Sequence, residues 1–100
     1  MKEQTKEIQV ELGQVVMTSG VNTLLEQHPL VGHLHAQRIL SRHRSGDWGD
    51  LLGAEDKASN DQAIEDGTRL LSAYELFGEK IWIITEWDRS VTTFLFPSEY

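Results

Sequence analysis

Apolar residues recur along this chain with two different periods, and the change of period divides it. Near the start, Ile8, Val10 and Leu12 alternate with polar neighbours and lead into Val15-Val16-Met17, bounded by Gly13 and Gly20. Gln14 to Thr18 therefore reads as a strand. Thr18 or Ser19 is placed to cap a short helix, Val21 to Gln27, with Val21, Leu24 and Leu25 on one face. His28-Pro29 interrupts it, and Pro29 suits the first turn of a second helix running to about His43. There Leu30 and Leu34 open an apolar face that Ala36, Ile39, Leu40 and His43 continue. Arg38, Arg42 and Arg44 gather toward its C-terminal end, where cations favour the helix dipole.

Ser45-Gly46-Asp47-Trp48-Gly49-Asp50 is a polar connection around one large aromatic. A third helix covers Ala54 to Asp66, with acids in its first turn and Gly67 as its stop. Its apolar content is confined to Ala58, Ala63 and Ile64, so one narrow stripe is buried. The period then drops to two. Thr68 to Tyr74, Lys80 to Trp87 and Val91 to Phe96 are rich in branched and aromatic residues and read as strands. They are joined through Phe77-Gly78-Glu79 and Asp88-Arg89, and Pro97 ends the last. Ile81-Trp82-Ile83-Ile84 is apolar on both alternations, as a central strand covered on both faces would be. The expected architecture is α+β: an N-terminal strand, two or three helices, then a three-stranded antiparallel meander with helices packed on one face.

One hundred residues give a single domain with one core, residues 1–7 being an expected frayed tail. The absence of Cys excludes disulfide frameworks, Cys-ligated zinc and thiolate nucleophiles. The longest bulky apolar run, Ile81 to Ile84, is far short of the roughly 20 residues that span a bilayer. Met-Lys-Glu-Gln-Thr-Lys-Glu has no apolar region behind its charges and does not read as a secretory signal, so a cytoplasmic protein is expected.

Charge changes the picture once it is divided. Lys2, Lys6, Arg38, Arg42 and Arg44 oppose Glu3, Glu7, Glu11 and Glu26 in residues 1–44, for a net +1. Residues 45–100 carry twelve acids against Lys57, Arg69, Lys80 and Arg89, for a net −8, which completes the overall −7. Asp47, Asp50, Glu55, Asp56, Asp61, Glu65 and Asp66 are answered only by Lys57. Such a field repels nucleic acid and anionic membranes and attracts a basic protein surface.

The stretch Asp47, Asp50, Glu55, Asp56 is the first candidate site. A hard cation needs several oxygens converging on one point, and this spacing is not that of an EF-hand loop. The same acids can instead tie the turn and favour the following helix dipole, or face a partner. Trp48 either anchors the loop to the core or serves as a contact residue. Trp87, beside Asp88 and Arg89 at a hairpin end, forms with Glu86 and Arg89 a second candidate contact tip, or an ordinary turn. His33 and His35 point to different helix faces, and His35 and His43 lie about 12 Å apart along a helix, so the histidines do not share an ion. His43, closing the apolar face, reads as a half-buried structural residue. Ser41 lacks the strand and G-x-S-x-G setting of an activated nucleophile. No catalytic residue, metal or cofactor is expected.

Arg42-His43, Ser45-Gly46-Asp47-Trp48-Gly49-Asp50-Leu51, Asn60-Asp61, Arg69 to Tyr74, Gly78 to Glu86 and Asp88 to Thr93 together resemble a family. Its members are small bacterial proteins of plasmids and other integrated mobile elements, labelled "plasmid-related protein" or "type I restriction endonuclease subunit M". The resemblance runs from about residue 42 to residue 100 and rests on the GDWGD loop occurring together with KIWIITE and DRSVTT. A methyltransferase subunit needs a Gly-rich nucleotide turn, and an adenine-modifying one an Asn/Asp-Pro-Pro-aromatic motif; this chain has no Pro-Pro, no G-x-G-x-x-G and no basic surface. The "subunit M" label thus fits gene neighbourhood better than chemistry. The resemblance implies a mobile-element setting. Combined with the charge, it gives the expectation of a non-enzymatic acidic module binding a basic protein surface, such as that of a restriction or RNA-guided defence complex, through Asp47, Trp48, Asp50, Glu55, Asp56, Trp87 and Arg89. The alternatives are a homo-oligomeric accessory protein of plasmid maintenance and a small metal-dependent hydrolase.

Overall fold

The computed structural model describes residues 9–100; the expected frayed tail and the place of Ile8 in the first alternation lie outside the described residues. In chain order the elements are β1 (Gln14–Met17), α1 (Ser19–Glu26), α2 (Gly32–Arg44), α3 (Ala54–Asp66), β2 (Leu70–Leu76), β3 (Glu79–Thr85), β4 (Val91–Leu95) and a closing 3₁₀ turn, Pro97–Glu99. The fold is α+β. The last three strands pair antiparallel in sequence order, β2 with β3 and β3 with β4. The expected three-stranded antiparallel meander is one part of the sheet: the N-terminal strand β1 joins it parallel to β4, giving a mixed four-stranded sheet of order β1-β4-β3-β2.

Alternation sorts the sheet. Ile81, Ile83, Phe94, Tyr74 and Leu76 point to one side and are buried under Val21, Leu24 and Leu25 of α1 and Ala36 and Ile39 of α2. Trp82, Ile84, Thr93 and Leu95 point to the other, where Tyr100 meets Trp82 edge to face. α1 begins where expected, the Thr18 hydroxyl accepting from the Val21 N–H. α3 ends where expected, because Gly67 takes a left-handed conformation and returns its N–H to Ala63.

The helices do not all lie on one face. α3 runs along the outer edge of β2, where the Asn60 side-chain amide donates to the Leu71 carbonyl and accepts from the Leu71 N–H. An Asn thus takes the place of a neighbouring strand, and Ala63 packs against Leu70 and Ala73 below it.

α2 is the second correction. It starts at Gly32, after a turn through His28 to Val31, and its buried residues are Gly32, Ala36, Ile39 and His43. Gly32 is forced here, since a Cβ would press on the Leu25 backbone where the two helices meet. Leu30 and Leu34 lie outside the core, 93% and 59% exposed. The reason is geometric: at 100° per residue Leu34 stands about 200° from Ala36, on the opposite side of the helix.

Candidate functional site

His43, in the last turn of α2, is fully buried among the inward hydroxyls of three strands. Its Nδ1 lies 2.5 Å from the Ser72 Oγ and its Nε2 lies 2.8 Å from the Thr85 Oγ1. Thr85 continues to Thr92 at 2.7 Å, and Thr92 donates to the Leu12 carbonyl at 2.7 Å. Proton accounting fixes every direction in this series. A carbonyl only accepts, so the Thr92 hydrogen is committed to Leu12 and its oxygen accepts from Thr85. The Thr85 hydrogen is then committed, so its oxygen accepts from the His43 Nε2–H. In the neutral ring the bare Nδ1 accepts from Ser72. Burial, reinforced by the charge of Arg89, pushes the His43 pKa down to about 4, which keeps this neutral form at pH 7. The series ties the segment before β1, α2 and all three meander strands together, and leaves no ring nitrogen unengaged and no ring face open to solvent.

The second polar constellation lies outside. Asp47, Asp50, Glu55, Asp56, Asp61, Glu65 and Asp66 are all exposed, while Lys57 between them is half-buried. Two of the seven serve the fold. Asp47 accepts two hydrogen bonds from Arg42, at 2.7 and 3.1 Å, and another from the Gly49 N–H, which together hold its carboxyl below the usual range. Asp61 accepts from the Trp48 indole at 2.9 Å. Asp66 takes a hydrogen bond from Gln62 on the helix surface. Among the described residues no cation pairs with Asp50, Glu55, Asp56 or Glu65.

The residues singled out from sequence therefore divide. Trp48 is 4% exposed and belongs to the loop's attachment to β2. Its carbonyl accepts from the Ala73 N–H, the Asp47 carbonyl accepts from the Tyr74 hydroxyl, and Gly49, at φ +92°, sits where a Cβ would collide with the Ala73 carbonyl. GDWGD closes the β2 edge from one end as Asn60 closes it from the other, so Trp48 presents no ring to a partner. Arg89, at φ +61°, turns its guanidinium onto the carbonyls of Ala63, Thr68 and Glu86. It clamps the β3–β4 loop onto the C-terminal end of α3, where a cation opposes the helix dipole. Trp87, in the same loop, is 66% exposed. Asp50, Glu55, Asp56 and Trp87 remain available on the surface.

Asn60, Ser72, Thr85 and Thr92 escaped the sequence reading. Ser72 alternates with Leu70 and Tyr74, and Thr92 with Phe94, which gives their inward parity; Asn60 shares its stripe with Ala63 and Ile64. No three His, Asp or Glu side chains gather as a metal site among the described residues, and no described helix is long and apolar enough to cross a membrane. Comparison with protein-family models, curated proteins and solved structures finds no match.

Proposed function

We propose that this chain is a protein-binding module that presents the unmatched acids of α3, Glu55 and Glu65 on its outward face with Asp50 and Asp56 about its N-terminal end, to a basic surface on a partner, with the exposed Trp87 as a further contact. The carrying observation is that Asp50, Glu55, Asp56 and Glu65 are exposed and unmatched by cations among the described residues, although the fold spends neighbouring acids on internal bonds. Unmatched surface charge of one sign steers association and selects a partner of the opposite sign, and an exposed Trp supplies apolar contact area. A helix of 13 residues offers this pattern over about 20 Å. A basic surface of that extent is what proteins use to hold a nucleic-acid backbone. The resemblance of residues 42–100 to mobile-element proteins supplies a setting in which occupying such a surface, on a restriction or RNA-guided defence complex, opposes host defence.

The test is capture from a bacterial lysate on the immobilised chain at low and moderate salt, with bound proteins identified by mass. The reading expects a nucleic-acid-binding complex that is released as salt rises and whose nucleic-acid binding is competed by added chain. Salt-insensitive capture, or a captured protein that still binds nucleic acid with this chain in place, contradicts it.

A further inference from the structure

The two outer edges of the sheet are finished differently. The β2 edge is closed by Asn60, by the Trp48 carbonyl and by Gly49. The β1 edge carries nothing comparable among the described residues. Gln14 and Thr18 send their N–H groups to the carbonyls of Ser90, just before β4, and Phe94 in it, and alternation sends that of Val16 the same way. The N–H and C=O groups of Val15 and Met17 therefore point outward from the sheet. Val15 and Val16 are 41% and 36% exposed, and no charged residue lies between Leu12 and Glu26 to discourage pairing.

We infer that β1 pairs antiparallel with β1 of a second copy, joining two four-stranded sheets into one of eight strands. The occupant follows from the symmetry of the strand. With Val16 facing the partner's Val16 on a two-fold axis, Val15 meets the partner's Met17 and Met17 the partner's Val15, so each outward N–H and C=O finds its counterpart. A register centred on Val15 instead sets Met17 against Gly13, whose φ of +62° takes it out of the strand. Charge points the same way. A chain of net −7 resists its own copy, but its densest acids lie on α3 beyond the opposite edge, and the segment that meets here is neutral. The dimer does not depend on the acidic-surface reading. It carries the two acidic helices to the far ends of the joined sheet, whose outermost strands are about 34 Å apart at about 4.8 Å per strand.

The test is the mass of the full chain by light scattering across a concentration series, with three variants. The expected mass approaches twice 11.4 kDa as concentration rises. Val15→Pro removes an outward N–H and leaves the bonds to β4 in place; Val16→Lys sets two like charges face to face. Both are expected to melt cooperatively and stay at 11.4 kDa. The chain has no Cys, so Val16→Cys reports this contact alone: a directly opposed, non-hydrogen-bonded pair lies within disulfide reach, and oxidation is expected to give a covalent dimer that Glu75→Cys on β2 does not. A wild-type chain that remains at 11.4 kDa throughout overturns the inference and leaves the edge to another strand-donating partner. A dimer that survives Val15→Pro overturns it equally, by placing the contact elsewhere.

Discussion

The polar groups around His43 and those on α3 stand in opposite relation to their surroundings. Inside, a ring and three hydroxyls are matched donor to acceptor until the last hydrogen reaches the Leu12 carbonyl, and no capacity remains for a ligand. Outside, four carboxylates within sixteen positions face water with no cation paired to them among the described residues. A buried polar network has to be complete, because each unmatched group forfeits its hydration with nothing in return. Surface charge faces no such demand, and what it leaves unmatched is available to a partner. Polarity here marks stability in one place and, on the function proposed above, recognition in the other.

Substitutions break that contrast in order of size. His43→Ala opens a cavity and leaves Ser72 and Thr85 without their ring partner, with an expected loss of about 4 kcal/mol in urea unfolding at pH 7. Glu65→Ala on the exposed face is expected to stay within about 0.5 kcal/mol. Equal losses would mean the interior network is not distinguished from the surface.

Acid sharpens the same contrast. The His43 pKa lies below its unfolded value of 6.5, at about 4, so between these pH values the unfolded chain binds the proton and the folded chain does not. Stability contributed by the neutral ring is complete above pH 6.5 and declines as pH falls toward about 4, by about 3 kcal/mol in all. Urea titrations at pH 7 and pH 4.5 read this, and His43→Gln, which has no titrating ring, is expected to show a shallower decline. Matching slopes would assign the decline to other groups.

Asn60→Ala strips both backbone partners from Leu71 on the sealed edge, with an expected cost of about 2 kcal/mol by thermal or chemical unfolding. Gln62→Ala, on the exposed side of the same helix, is the control and is expected to be neutral. Arg89→Ala frees the carbonyls of Ala63, Thr68 and Glu86, for about 1 kcal/mol, and removes the positive charge that opposes protonation of His43. Its signature is therefore double: a small loss at pH 7, and a His43 pKa, followed by ring proton resonances, that moves upward.

How much of this was legible depended on whether the deciding contact was local. α3 and its end were readable because first-turn acids and Gly67 act within a few residues. The antiparallel pairs were readable because consecutive strands joined by short turns fold back on one another. The parallel union of β1 with β4 was not, since it joins residues far apart in sequence and a four-residue apolar segment does not specify its neighbour. Leu30 and Leu34 are apolar but exposed because the turn before Gly32 resets the helix phase, and apolar character alone does not show it. Trp48 and Arg89 lie in surface connections, as their neighbours suggested, but the indole turns inward to Asp61 and the guanidinium onto three carbonyls, and Asp61, Ala63 and Thr68 come within reach only when α3 and its end are packed in place. The acids Asp50, Glu55 and Asp56 and the ring of Trp87 were legible as surface from their setting alone.

The central claim is that recognition resides in the acids the fold leaves unmatched. Its most direct test is the affinity of the captured partner for the wild-type chain and for the combined Asp50→Lys, Glu55→Lys, Asp56→Lys, Glu65→Lys variant, at one salt concentration and with unfolding followed in parallel. The expected result is loss of binding by at least about a hundredfold, since each exposed pair is worth up to about 1 kcal/mol and its reversal adds repulsion, with the fold retained. A folded variant that binds as tightly as the wild type would contradict the account.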